Sequence, residues 1–220
     1  EQNILSKYGN LICLSFRDIA LRIAEKKNYQ LAILDDGLQD KSLNYDISIA
    51  CFNSADLVGN GLVLPAGPLR ERIANILDYD VAFLNGERSN IRFEKTLKRL
   101  NPNLKIFRAK YFPNNLKSFK FKDNFLVFSG IGNPLEFEQT LKKYKFKIKK
   151  IITFPDHYKY KSSDINNIKN IAKKNKLKII TTEKDYSRLS NLQKKNIQYL
   201  KIELNIVKEK EFKNFLINKL

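Results

Sequence analysis

Two adjacent carboxylates close the stretch LAILDDGLQD, residues 31–40. Four apolar positions running into Asp35 and Asp36 suit a strand that delivers acids to the carboxyl edge of an α/β sheet, where ligands bind. Carboxylates placed there hold a divalent cation, directly or through water, beside bound phosphates. Asp-Asp-Gly is equally good turn chemistry. Acids of the first kind work beside a phosphate loop, G-x-x-x-x-G-K-[ST], whose N–H groups and lysine cradle the phosphates. None of the eight glycines, at 9, 37, 59, 61, 67, 86, 130 and 132, opens that pattern.

Four further constellations have chemical potential. Arg70 and Glu71 end the proline-bearing stretch LPAGPLRE; a guanidinium fork there suits phosphate oxygens, and a surface ion pair is the plainer reading. His157 is the one histidine, next to Asp156 in a loop that follows an apolar run. A carboxylate can orient an imidazole, though neighbours in sequence rarely make that contact, so Asp156 can instead shape the loop. SGIGNP lacks both a lysine and a third glycine and reads first as a strand-to-helix turn. TTEKD fits a capping-box-like helix start at Thr182 and Asp185, with Lys184 as an anion contact.

The elements that must carry these residues alternate. Strands are expected at Leu11–Ser15, Leu31–Leu34, Ile47–Phe52, Val81–Leu84, Phe125–Phe128, Ile148–Phe154, Leu177–Thr181 and Gln198–Ile202. Phe16, Ile19, Ala20 and Ile23 recur at helical spacing, as do Ile165, Ile168, Ile171 and Ala172 behind a cap at Ser162 or Ser163. Strand–helix alternation predicts an α/β fold with a mostly parallel sheet flanked by helices. Residues 53–70 read as a long, shaped loop of the functional kind. The polar segment 101–122 carries a domain boundary, which gives a domain over 1–118 and a smaller α/β domain over 119–220.

The 220 residues are 43% hydrophobic with a net charge of +18. That allows a sizeable core and no apolar run near the roughly 20 residues of a membrane-spanning helix. The charge favours anionic partners such as nucleic acid, anionic lipid or phosphorylated substrates; heavy lysine and asparagine use throughout explains it equally well. Cys13 and Cys51 sit in apolar runs and read as buried reduced thiols. No methionine occurs and Glu1 is a poor natural start, so a fragment missing its N-terminal part is expected.

Taken in order, LAILDDGLQ, GNGLVLPAGPLRE, FLNG, SGIGNP, FPDHY and TTEKD resemble the tetraacyldisaccharide 4′-kinase family of lipid A biosynthesis, over residues 1 to about 190. The resemblance implies a P-loop-kinase-like fold and transfer of the ATP γ-phosphoryl group to a tetraacylated glucosamine disaccharide 1-phosphate, with Mg2+. It implies a peripheral enzyme at the cytoplasmic face of the inner membrane, taken as a monomer whose partners are the lipid A disaccharide precursor and the membrane surface, not nucleic acid.

Carried over by motif, Asp35 and His157 are catalytic, His157 by supporting a base. Arg70, Glu71 and Gln39 face the nucleotide phosphates, and Asp36 and Glu71 the metal. Family members carry the phosphate loop near the N-terminus and a later Gly-Asp-Glu motif; Glu1 would be its last residue, and the chain alone would then be inactive. One departure is Asp40, where many members have histidine. The competing expectations are a basic nucleic-acid-binding α/β protein and a small-molecule transferase that uses SGIGNP as its ligand turn.

Overall fold

The computed structural model describes residues 5, 6 and 9–220; Glu1, with the motif expected around it, lies outside the described residues. In chain order the elements are α1 (Arg17–Lys26), β1 (Ile49–Asn53), β2 (Val81–Asn85), α2 (Ile91–Leu100), β3 (Lys105–Pro113), β4 (Asn124–Ser129), α3 (Pro134–Lys143), β5 (Lys147–Thr153), α4 (Ser162–Lys174), β6 (Lys178–Thr182), α5 (Glu183–Ser187), α6 (Asn191–Lys194), β7 (Ile197–Leu200), β8 (Ile202–Ile206) and α7 (Glu209–Lys219). Short 3-10 turns cover Ile73–Asp78 and Leu116–Ser118. The expected α/β class, with mostly parallel sheets flanked by helices, is what forms.

Two compact units divide the chain. One comprises Leu14–Phe112 with Glu203–Leu220, and the other centres on Pro113–Ile202. This differs from a single cut at 118/119. Residues 203–220 return to the earlier unit because β8 joins the edge of β3 and α7 drops Phe212 and Phe215 onto Phe83 and Phe107. The polar stretch 101–122 also holds the nine-residue β3, whose alternating Phe107 and Ala109 are buried.

In the first unit the sheet order is β1-β2-β3-β8, with β1, β2 and β3 parallel: Ile49 lies opposite Val81, and Val81 opposite Lys105. β2 is apolar through Leu84 because both its faces are covered. Ala82 and Leu84 meet Phe93 and Leu97 of α2, while Val81 and Phe83 meet α7. The four-residue step between Phe93 and Leu97 puts both on one helix face, and the Asn90 side chain starts α2 by accepting the Phe93 N–H at 3.0 Å. Buried Asn101, just past α2, donates to the carbonyls of Ile76 (3.0 Å) and Tyr79 (2.9 Å). It thereby ties α2 to the turn that follows Glu71.

The second unit has sheet order β5-β4-β6-β7, all parallel. Alternate residues of β4 serve two cores. Phe125 and Val127 pack with Phe137 and Leu141 of α3, and Leu126 and Phe128 with Ile165 and Ile168 of α4. SGIGNP is the turn into α3, with Pro134 in the first helical turn and the Asn133 side chain accepting the Glu136 N–H at 3.2 Å.

Several expectations are corrected. Leu11–Ser15 and Leu31–Leu34 are not strands. Leu31 is exposed and Ile33 is 88% exposed; an apolar run becomes a strand only with a neighbour to pair with, and these segments pair with none among the described residues. Both cysteines are exposed rather than buried, since Cys13 lies in a run that forms no strand and Cys51 on β1, the edge of its sheet. Neither Ser162 nor Ser163 caps α4. The Asp164 carboxylate instead reaches back to the Lys161 N–H at 2.8 Å. The last expected strand is two, β7 and β8, in different sheets. No helix among the described residues is long and apolar enough to cross a membrane.

Candidate functional site

The DDG turn and the loop before Arg70 meet in the first unit. Asp36 adopts a left-handed backbone (φ 53°), which short polar side chains tolerate. Gly37 is buried, and its carbonyl accepts the Tyr45 hydroxyl at 2.6 Å, which anchors the turn. The Asp36 side chain points outward, 67% exposed, and takes the Arg70 guanidinium at 2.9 Å. Arg17, from α1, donates to the Asp36 carbonyl at 3.0 Å and pairs with Asp40 at 3.6 Å. The Ser42 hydroxyl (2.6 Å) and N–H (3.2 Å) hold the Asp40 carboxyl below its ordinary value.

Arg70 is delivered by a loop closed on itself. Leu64 N–H donates to the Leu69 carbonyl at 2.8 Å, and Asn60 Nδ2 to the Ala66 carbonyl at 2.8 Å. Gly67 is obligatory: a Cβ there would lie 2.2 Å from Asn60 Oδ1 and 2.3 Å from the Leu62 carbonyl oxygen. A packed loop of this kind fixes where its end points.

Glu71 turns the other way, into protein. Its carboxylate accepts Gln39 Nε2 at 3.1 Å, Asn75 Nδ2 at 2.8 Å and the Tyr79 hydroxyl. Burial pushes Glu71 up, but these three donors outweigh it and hold the carboxyl below its ordinary value. Burial, reinforced by Glu71, pushes the Tyr79 phenol up.

Five of the six expected site residues, Asp35, Asp36, Gln39, Arg70 and Glu71, thus belong to one unit, and direct contacts join Asp36 to Arg70 and Gln39 to Glu71. Asp35 is exposed beside them. These oxygen donors are of the kind magnesium takes. Yet Asp36 faces Arg70, Glu71 faces three protein donors, and no three His, Cys, Asp or Glu side chains gather among the described residues. As placed, they do not make a cation site.

His157 stands in the second unit, on the loop after β5. Its backbone is left-handed (φ 58°), uncommon for a residue with a Cβ and concentrated at functional positions. Asp156 does shape the loop: Oδ1 accepts the His157 N–H at 2.8 Å, while Oδ2 lies 3.8 Å from Nε2, beyond hydrogen-bond reach. The ring's other nitrogen, Nδ1, is 3.3 Å from Arg188 Nη2. Arg188 Nη1 donates to the Gly130 carbonyl (2.9 Å) and to the fully buried Asp185 carboxylate (3.2 Å). Asp185 also accepts the Gly130 N–H at 3.0 Å and the Thr182 hydroxyl at 2.8 Å, and Thr182 caps α5 as expected by accepting the Asp185 N–H at 3.0 Å. Burial, reinforced by Asp185, raises the Tyr160 phenol next to this group.

Arg17, Tyr79, Asp185 as a buried acceptor and Arg188 are absent from the sequence-derived site. A signal existed for the last pair, because an acid and an arginine three apart share a helix face. None existed for Arg17 or Tyr79, which reach the site only through the fold.

The family model for tetraacyldisaccharide-1-P 4′-kinase matches residues 10–220. The chain is 48% identical over 218 residues to the tetraacyldisaccharide 4′-kinase of Pelagibacter ubique, covering 99% of this chain and 69% of that protein. It is 38% identical to the Rickettsia canadensis kinase, covering 97% of this chain and 66% of that one, and 38% identical to that of Rickettsia typhi, covering 94% and 63%. The chain therefore spans about two thirds of the length of these relatives. A crystal structure of LpxK from Aquifex aeolicus in complex with ATP has a like fold, with TM-score 0.61 and 24% identity, over 91% of this chain and 61% of that one.

Proposed function

The chain belongs to the tetraacyldisaccharide-1-P 4′-kinase family, and from that premise we propose that it works within a lipid kinase. The reaction moves the γ-phosphoryl group of ATP to the 4′-hydroxyl of a tetraacylated glucosamine disaccharide 1-phosphate. The hydroxyl oxygen bonds to the γ-phosphorus, the bond to the β-phosphate oxygen breaks with its electron pair leaving on ADP, and the hydroxyl proton passes to a base. Such transfer rests on positioning and charge neutralisation.

The observation that carries this reading is the Asp36–Arg70 pair, which puts an exposed guanidinium at the end of a closed loop. Arg70 meets phosphate oxygens with its fork, and Asp36 holds it in place meanwhile. Asp35 is the free carboxylate at the reacting end. Glu71, joined to Gln39, buttresses the loop that presents Arg70. His157 supports the base that takes the hydroxyl proton. Magnesium belongs to this reading as the companion ion of ATP, with no step assigned to it. The lysine-rich surface favours a peripheral monomer on the cytoplasmic face of the inner membrane, where each well-placed Lys or Arg adds about 1 kcal/mol against anionic headgroups.

The test uses the gene product that carries this chain, with radiolabelled ATP and the tetraacyldisaccharide 1-phosphate in mixed micelles. ATP-dependent label on the lipid is expected, lost in R70A and D35N. Label that forms equally well in both variants overturns the assignment, and absence of any label from the unaltered protein overturns the activity.

A further inference from the structure

We infer that Arg188 is a positioning residue for His157: it locks the imidazole with Nδ1 inward as an acceptor, leaving Nε2 as the outward, proton-bearing nitrogen. The inference rests on the proposed role of His157 but concerns a residue that this role does not name.

The argument starts from donor inventory. A guanidinium has five N–H donors and no acceptor. The 3.3 Å approach of Arg188 Nη2 to Nδ1 is therefore a hydrogen bond only if Nδ1 presents its lone pair. In the neutral ring the proton then resides on Nε2. The arrangement also fixes ring orientation, since flipping the ring would bring a carbon to the guanidinium.

Arg188 is itself held hard. Its side chain is 18% exposed, and Nη1 is shared between the Gly130 carbonyl and Asp185, whose side chain is fully buried. Asp185 holds the N–H of the same glycine. The loops after β4, β5 and β6 are thus laced together at the carboxyl end of their sheet, where α/β proteins place ligands. The strand order β5-β4-β6 makes β4 the point at which the chain reverses direction across the sheet. The left-handed backbone at His157 completes the device by presenting the ring to Arg188.

A structural role for Arg188 is fulfilled by its contact with Asp185 alone. The contact with Nδ1 adds nothing to that role, and the ring is otherwise 65% exposed. An exposed imidazole given one fixed donor is oriented for use by its other nitrogen.

His157 is the only histidine in these 220 residues, and comparison with H157A identifies its ring nitrogens in a long-range proton–nitrogen correlation spectrum. With the ring neutral, the expected spectrum has a protonated Nε2 and a hydrogen-bonded, unprotonated Nδ1. In R188A the Nδ1 resonance moves to the value of a free lone pair. R188K separates the two roles: a lysine keeps the charge against Asp185 but lacks the fork that spans both partners. R188K is expected to retain its melting temperature and still lose the Nδ1 signature, which also covers the case in which R188A fails to fold. Unchanged ring nitrogens in R188K overturn the inference whatever the kinase activity. In the lipid-kinase assay R188K is expected to lower kcat by about 10²-fold, the lower end of a lost general acid–base contribution, with KM for ATP unchanged. R188K combined with H157A should be no slower than H157A alone. A moved ring signature with unaltered kcat upholds the positioning and overturns the catalytic assignment of His157.

Discussion

The Arg70 guanidinium lies 2.9 Å from the Asp36 carboxylate, 34 positions away in sequence, and both side chains are more than half exposed. An exposed pair of this kind contributes only about 0–1 kcal/mol to stability. Conservation of fold is therefore not what the pairing achieves, and its removal separates stability from function. R70A is expected to melt within a few degrees of the unaltered protein while its lipid-kinase rate falls by about 10²-fold or more, the scale of losing one charge-stabilising donor. R70K should recover only part of the rate, because an ammonium lacks the fork. Thermal melts and initial rates on the same preparations check both statements.

Glu71 supplies a pH dependence. Its carboxyl is held below the ordinary glutamate value, so the unfolded chain takes up a proton there at higher pH than the folded one. The stabilisation is present above the ordinary value of about 4.3 and is lost as the pH falls through the depressed folded-state value. E71Q is expected to be less stable than the unaltered protein at about pH 7, and the gap should close in acid. On the alkaline side Tyr79, whose phenol is raised, stabilises fully below about pH 10 and loses that contribution as it ionises in the folded state. Melting temperature against pH for E71Q and Y79F tests both arms.

Gly67 tests the loop. A methyl group at this position would meet Asn60 and the Leu62 carbonyl far inside contact distance. G67A is expected to distort the loop at a cost of about 1–3 kcal/mol, typical of overpacking, and to lower activity through Arg70. N60G would relieve the side-chain clash but not the carbonyl one, so the double variant should recover stability only in part.

The helical faces were readable from spacing, as with Ile165, Ile168 and Ala172 on α4, because burial on one face leaves a period in the sequence. The parallel strands β2 and β4 were readable because a strand covered on both sides is apolar throughout. Leu31–Leu34 has the same composition and no partner strand among the described residues, and composition alone does not reveal pairing. The six expected site residues were legible as motifs, but not the split between Asp36 facing Arg70 and Glu71 facing Tyr79 and Asn75. That split depends on Asn101, which fixes the turn behind Glu71 through carbonyls far away in sequence. The C-terminal strand and helix were missed because their apolar residues find their partner faces only after the intervening unit.

That return of residues 203–220 has a consequence for synthesis. Phe83 and Phe107 emerge from the ribosome early, yet the side chains that cover them, Phe212 and Phe215, emerge only after Pro113–Ile202 has been made. During that interval the nascent chain displays an unsheathed aromatic face and an unpaired β3 edge, the kind of surface that draws chaperones or self-association. The order of completion is thus inverted relative to the order of translation: the unit bearing His157 can finish while the unit bearing Arg70 is still waiting for its last strand.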